Sequence, residues 1–368
     1  MKKTVLFGDM NKWNKALDLV SKYDVVVVGL CDPDNQGMAA ESDSIFTIDD
    51  LIDNYKSKAI EAVINVDASI PVWNEWFYKR GIRENYAIST RLYGMEDIDD
   101  EAAKILLQPY VMIKPELHNL EFHLADHCNL KCKGCTHFSN LIKEPAFPDF
   151  DLAKKDFARL SELFFNIQEI HLLGGEPFLN ADIGRYCSMV REAFPYSKIV
   201  IVTNGLLIPK TKPEIFDVIR ENDIMLSISD YTCLDEDKIL SVLGKNGINV
   251  CELRNGKQIF MKSLNPKGDL DPEDVFNACP RRACTCLRNG MLAACVQPFM
   301  IHVFNERYGT SLSDEGAISI YDDGVNGYRI IEHLSKPMGA CRFCGFEEPF
   351  EWGISKEPVP MSDWCIGE

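Results

Sequence analysis

The sequence predicts an α/β protein: a partial (β/α) TIM-like barrel, preceded by a Rossmann-like α/β domain and followed by a small cysteine-rich module. Three observations predict it. Two blocks alternate short β-branched runs with segments of helical spacing, the pattern that makes parallel sheets. The glycine, cysteine and polar residues that stand out in the second block fall at strand ends, where β/α barrels gather their chemistry. Past about Phe260 the chain becomes dense in Gly, Pro and Cys, and regular helices fade. The expected boundaries are 1–112, 113–265 and 266–368.

In the first block, residues 4–7, 25–30, 45–47, 62–66 and 86–89 read as strands. The run at 25–30 is unbroken, as in a strand buried on both faces. Helices are expected at 13–22, with Trp13, Ala16, Leu17 and Val20 on one face, and at 48–55 and 72–80. The turn after the first strand has one glycine, Gly8, so the dinucleotide pattern Gly-x-Gly-x-x-Gly is absent. Cys31-Asp32-Pro33-Asp34 stands where an acidic ribose ligand could lie. Nucleotide binding and a plain docking or regulatory role both stay open. Residues 96–107 read as a helix after an acidic start, and 108–116, with Pro109 and Pro115, as a linker.

In the second block, strands are expected at 120–126, 169–173, 198–203, 224–229 and 248–252. Helices are expected between them at 152–165, 183–193, 214–221 and 235–243.

Composition narrows the function classes. The 368 residues are 46% hydrophobic and 26% charged, ordinary for a globular protein. No apolar run approaches the ~20 residues of a bilayer span. Polar residues follow Met1-Lys2-Lys3 almost at once, which argues against a signal peptide. Thirty-nine basic against 56 acidic residues give −17, which repels phosphate backbones and anionic lipid. Neither nucleic acid nor membrane is an expected partner, and a cytoplasmic location is expected. The anomaly is 14 cysteines in a long chain. In a reducing compartment, clustered cysteines bind metal or do catalysis.

Cys128, Cys132 and Cys135 follow the first strand of the second block as C-x3-C-x2-C. Three thiolates on one loop can hold one face of a cubane cluster. A [4Fe–4S] cluster ordinarily takes four cysteines, so one iron stays open to a small molecule. Zinc sites favour paired C-x2–4-C motifs, and zinc is the competing reading. Gly174-Gly175-Glu176-Pro177 ends the next strand, Thr203-Asn204-Gly205 the third, and Ser227-Ile228-Ser229 lies in the fourth.

This order of motifs resembles the signature of radical S-adenosylmethionine (SAM) enzymes. The resemblance implies that Cys128, Cys132 and Cys135 hold a catalytic [4Fe–4S] cluster. It implies SAM contacts at Gly174, Gly175, Glu176, Pro177, Thr203, Asn204, Ser227 and Ser229. It also implies an electron donor such as flavodoxin or ferredoxin, and a small-molecule substrate. The family often places an aromatic residue near adenine beside the third cysteine. Lys133 and Gly134 stand here instead, with Phe138 as a substitute.

Cys279, Gly290-x4-Cys295 and Cys341-x2-Cys344 resemble the auxiliary-cluster modules called twitch and SPASM. Only Cys365 follows, which fits the one-cluster twitch form. The resemblance implies a second, auxiliary [4Fe–4S] cluster on Cys279, Cys295, Cys341 and Cys344. Cys284 and then Cys286 are substitute ligands, and zinc stays an alternative. His123, His127 and His137 surround the first cysteines and could pass protons or simply hydrogen-bond. Asp230, Tyr231, Glu252 and Arg254 end strands at the reaction face. Cys31, Cys187 and Cys251 read as buried small apolar residues.

The function expected is radical SAM oxidation or epimerisation of a small molecule such as a sugar or aminocyclitol. A maturase of ribosomal peptides and a non-catalytic zinc-bound interaction protein are the alternatives.

Overall fold

The computed structural model describes residues 2–21, 25–34, 44–66, 73, 76–77, 80–82, 84–88, 114–231, 234–255 and 259–367. The expected helix over 96–107, most of the linker, much of the helix over 72–80, and Cys233 lie outside them. The chain divides into two compact units. One comprises Met1–His118, Ser161–Asn166 and Asn326–Glu332; the other comprises the remainder.

The first unit has a parallel sheet ordered β2-β1-β3-β4, from β1 (Lys2–Phe7), β2 (Val25–Cys31), β3 (Ala62–Asn65) and β4 (Asn85–Ala87). Helices α1 (Trp13–Val20) and α2 (Ile48–Lys56) alternate with the strands. Thr47 and Asp50 cap α2 reciprocally, satisfying two donors its first turn would leave open. Residues 45–47 are not a strand; Ile45 makes a single bridge to Leu30. The turn after β1 is tied by hydrogen bonds within the protein. Trp13 Nε1 donates to the Gly8 carbonyl at 3.0 Å, and Asp32 accepts from the Met10 and Asp34 amides.

The second unit is built on an eight-stranded sheet, β13-β12-β11-β5-β6-β7-β8-β9. Strands β5 (Glu116–Ala125), β6 (Asn166–Gly174), β7 (Lys198–Thr203), β8 (Ile224–Asp230) and β9 (Val250–Asn255) are the expected five. Helices α3 (Phe150–Leu163), α4 (Ile183–Ala193), α5 (Pro213–Glu221) and α6 (Glu236–Lys245) connect them. Phe157 on α3 packs edge-on to Phe122 at 5.3 Å, and each such buried ring contributes about 1.5–3 kcal/mol.

The sheet does not stop at five strands. Short β11 (Cys286–Arg288) pairs parallel with β5, and β12 (Met291–Ala293) and β13 (Ile318–Ser319) continue antiparallel. Asn289 and Gly290 turn the β11–β12 hairpin with φ of 48° and 74°, which is where glycine is needed. The expected fading of helices past residue 260 is corrected. α7 (Pro272–Ala278) and α8 (Gln297–Tyr308) follow, with a ribbon of β10 (Ile259–Leu264) and β14 (Cys344–Glu351), while most of α9 (Gly327–Leu334) belongs to the first unit. The core here joins Phe138 and Leu141 of the cysteine loop to Met300, Phe304 and Trp364. Phe138 is therefore a core residue, not an adenine platform.

Candidate active site and cysteine centres

The carboxyl ends of β5 to β9 converge on a cavity of about 590 Å³. Cys128, Cys132 and Cys135 line it from the loop after β5. Gly174, Gly175, Thr203, Asn204, Ser229, Tyr231 and Arg254 line it from the later strand ends. Glu176, Pro177 and Ser227 do not.

The two glycines are dictated by the close approach of backbone to backbone. A Cβ on Gly174 would lie 2.1 Å from the Ala125 carbonyl oxygen, and one on Gly175 2.1 Å from that of His127. Their chain instead bonds to the cysteine loop: Gly175 N–H donates to Ala125 O at 2.7 Å and Glu176 N–H to His127 O at 3.1 Å. Glu176 turns inward, fully buried. It accepts from Thr203 Oγ1 at 2.8 Å, Asn204 N at 3.0 Å and Phe178 N at 3.1 Å. Burial pushes its carboxyl up to about 7 despite those donors. Glu176 thus fixes the end of β7, and with it Asn204, whose Nδ2 donates to Asn129 Oδ1 at 2.7 Å.

The thiols sit among donors. Leu130 N–H reaches Cys128 Sγ at 3.3 Å, and the amides of His137, Phe138 and Ser139 address Cys135. Burial nonetheless pushes Cys128 up to about 12 and Cys132 up to about 11, with the neighbouring thiols adding to both. Thiolates hold here only against a compensating positive group, as coordinated iron provides. Buried Ser139 Oγ and Trp352 Nε1 have no partner other than the Cys135 and Cys132 sulfurs that they face. The donor set and these polar atoms fit an iron–sulfur group. Among the described residues no group of three or more His, Cys, Asp or Glu forms a single-ion site. The thiols border a space rather than a point.

The loop is held from the far end of the chain. Lys133 N–H donates to Gly353 O at 2.8 Å, Ser355 N–H to Lys131 O at 2.8 Å, and Trp364 Nε1 to Cys135 O at 2.8 Å. Behind it runs a buried chain. Arg288 donates twice to Asp126, at 2.9 and 2.7 Å. Asp126 meets His123 Nδ1 at 2.9 Å, and His123 Nε2 meets His137 Nδ1 at 2.8 Å. The salt bridge and the His123 contact hold the Asp126 carboxyl low against its burial. Burial, with His123 and Arg281, pushes His137 down to about 3, so the imidazole lining the cavity is neutral. His127 Nδ1 instead accepts the Ala146 amide at 3.2 Å.

The remaining strand-end residues divide similarly. Asp230 accepts from Leu234 N at 2.9 Å. Tyr231 lines the cavity, stacked on Trp352 at 5.8 Å. Glu252 pairs with Arg254 and accepts from Ser227 Oγ. Arg281 pairs with Glu347 at 2.7 Å on another wall. Cys31 and Cys187 are buried as expected, but Cys251 is exposed, because β9 is the edge of the sheet.

Cys279, Cys295, Cys341 and Cys344 come together around a second cavity of about 20 Å³, with Val275, Phe276 and Gln297. Cys295 feels all three of the others, and burial pushes it up. Cys284 and Cys286 do not line this cavity, although both feel the charge of Cys295. Cys284 lines the large cavity, and the Cys286 thiol donates to Glu121 Oε2 at 3.4 Å. The residues without a sequence signal are Glu121, Arg281, Arg288, Trp352 and Trp364, each placed by contacts distant in sequence.

A mostly parallel α/β sheet carries three thiols on the loop after one strand and a glycine turn on the next, and these features fall within one recognisable domain. The profile of the radical SAM superfamily matches residues 123–249. The likeness lies in this domain. The chain is 32% identical over 160 residues to molybdenum cofactor biosynthesis protein 1 of Dictyostelium discoideum, 40% of this chain and 24% of the relative. It is 25% identical over 175 residues to a GTP 3',8-cyclase of Sulfurovum sp., 44% of this chain and 51% of the relative. The chain thus spans about half the length of these curated relatives, or less. Among solved structures, BtrN in complex with AdoMet and 2-DOIA aligns with a TM-score of 0.44 and 17% identity, over 63% of this chain and 94% of that one. Among the described residues no helix is long and apolar enough to cross a membrane.

Proposed function

We propose that the protein is a radical SAM oxidoreductase acting on a small polar molecule of the sugar or aminocyclitol class. The single observation behind this reading is the cavity of about 590 Å³, with three thiols on one wall and Tyr231, Arg254, Arg281, Glu121 and Glu347 around the others. Charged groups of both signs suit a substrate rich in hydroxyl and amino groups.

Cys128, Cys132 and Cys135 would hold a [4Fe–4S] cluster, and SAM would lie along Gly174, Gly175, Thr203, Asn204 and Ser229. When bound, the cluster supplies the electron that splits SAM into methionine and a 5'-deoxyadenosyl radical, which takes hydrogen from substrate. Glu176 and Ser227 act behind the cavity, fixing β7 and Glu252. His137 offers a neutral imidazole to the cavity wall. Cys279, Cys295, Cys341 and Cys344 would hold an auxiliary [4Fe–4S] cluster in a twitch-like module over 266–368, beyond the barrel of 113–265. Residues 1–112 would serve docking, and a cytoplasmic flavodoxin or ferredoxin would give electrons.

Epimerisation is favoured by one observation, the Cys284 thiol in the cavity wall. Its S–H would return hydrogen to the substrate radical, and one electron from the same donor with one proton from solvent would restore the thiol.

The test is anaerobic incubation of iron-reconstituted protein with SAM and dithionite. Formation of 5'-deoxyadenosine is expected. A colourless protein that leaves SAM intact overturns the reading. With a converted aminocyclitol, deuterium from D2O in the recovered product marks epimerisation, and an oxidised product marks dehydrogenation.

A further inference from the structure

Helix α8 opens with Gln297 against the four-cysteine site. The Gln297 main-chain N–H addresses the Cys295 sulfur, and its carboxamide lines the same small cavity as the four thiols. The residue is only 8% exposed. Its Oε1 accepts the Cys344 thiol at 3.2 Å, whereas its Nε2 is buried with no partner. A buried amide donor left in that condition costs about 1–3 kcal/mol. The positive end of the helix points the same way, so donor and dipole both favour negative charge among these sulfurs.

The present bond runs from thiol to carbonyl oxygen. A coordinated sulfur has given up its proton and can only accept. Turning the carboxamide over exchanges Oε1 and Nε2 with little other movement, and brings the orphaned donor to the sulfur.

Resting on the reading of these cysteines as a cluster site, we propose that Gln297 is a positioning residue whose carboxamide inverts on metal loading and donates Nε2–H to the coordinated Cys344 sulfur. The same bond stabilises the extra negative charge of the reduced group, which raises its potential.

The experiment uses full-length protein carrying Cys128→Ala, Cys132→Ala and Cys135→Ala, so that only the second site loads, reconstituted anaerobically with iron and sulfide. Gln297→Met removes both amide groups at similar volume; Gln297→Glu keeps the oxygens and removes the N–H. Both should keep the iron and lower its potential by at least a tenfold change in the reduced-to-oxidised ratio, which is 59 mV for one electron. Gln297→Glu should shift it further. Pulsed electron paramagnetic resonance of reduced protein labelled with amide-15N glutamine should show a coupled nitrogen that is lost in Gln297→Met. This coupling with Gln297 intact decides the matter even if a variant holds no iron. Unchanged potentials, or no coupled nitrogen, overturn the role of Gln297 and leave the cluster reading standing. Absence of iron from the second site with Gln297 intact overturns both.

Discussion

Cys128, Cys132 and Cys135 come from one short loop and open on about 590 Å³, whereas Cys279, Cys295 and the pair Cys341 and Cys344 come from three separate segments and close on about 20 Å³. The difference separates two uses of sulfur. A loop that offers its donors from one side leaves the opposite side for an exchanging ligand. Donors that converge from several elements enclose whatever they hold, and suit a group that stays.

The sharpest way to break this contrast is to delete each set in turn. Replacing Cys128, Cys132 and Cys135 with Ala should remove about half of about eight irons and abolish 5'-deoxyadenosine formation. Replacing the other four should remove about the same iron while reductive SAM cleavage continues. Iron analysis and chromatography read both; SAM cleavage that follows the second set instead would invert the assignment.

A smaller effect comes from the glycine turn. Gly175→Ala puts a methyl 2.1 Å from the His127 carbonyl and forces the loop away. Calorimetry should show SAM binding weakened at least tenfold, with stability lowered by about 1–3 kcal/mol. Equal affinity would mean that the turn does not set the open side.

Glu176 gives a pH signature. Its folded-state value of about 7 lies above the ordinary 4.5, so between them only the folded protein holds the proton. Wyman linkage then makes stability fall as pH rises through that window, with the loss complete above it. Denaturation of the metal-free protein should show this slope, and Glu176→Gln should flatten it. Parallel curves would remove the buried carboxyl from the account. Least of all, Trp364→Phe removes the bond to the Cys135 carbonyl and should cost about 1 kcal/mol in denaturant unfolding.

The contrast also explains what could be read from the chain. The cysteine loop and Gly174-Gly175-Glu176-Pro177 are local, and their strands carry unbroken apolar runs such as Ile199, Val200 and Ile201. Helix α8 could not be read, because apolar Phe299 and Val303 stand off its buried stripe of Gln297, Met300, Ile301 and Phe304 and polar Gln297 stands on it, which flattens the hydrophobic contrast. Strands β11 to β13 are two or three residues long, too short for alternation to register. The inward turn of Glu176 and the partners Arg288 and Trp364 depend on neighbours far along the chain, which spacing does not encode.

Gly353, Ser355 and Trp364 bond to a loop more than two hundred positions earlier. Translation therefore delivers the three thiols long before the segment that braces them. Until residues 353–364 have emerged that loop lacks its brace, so any group the three thiols hold should be loaded after them rather than before.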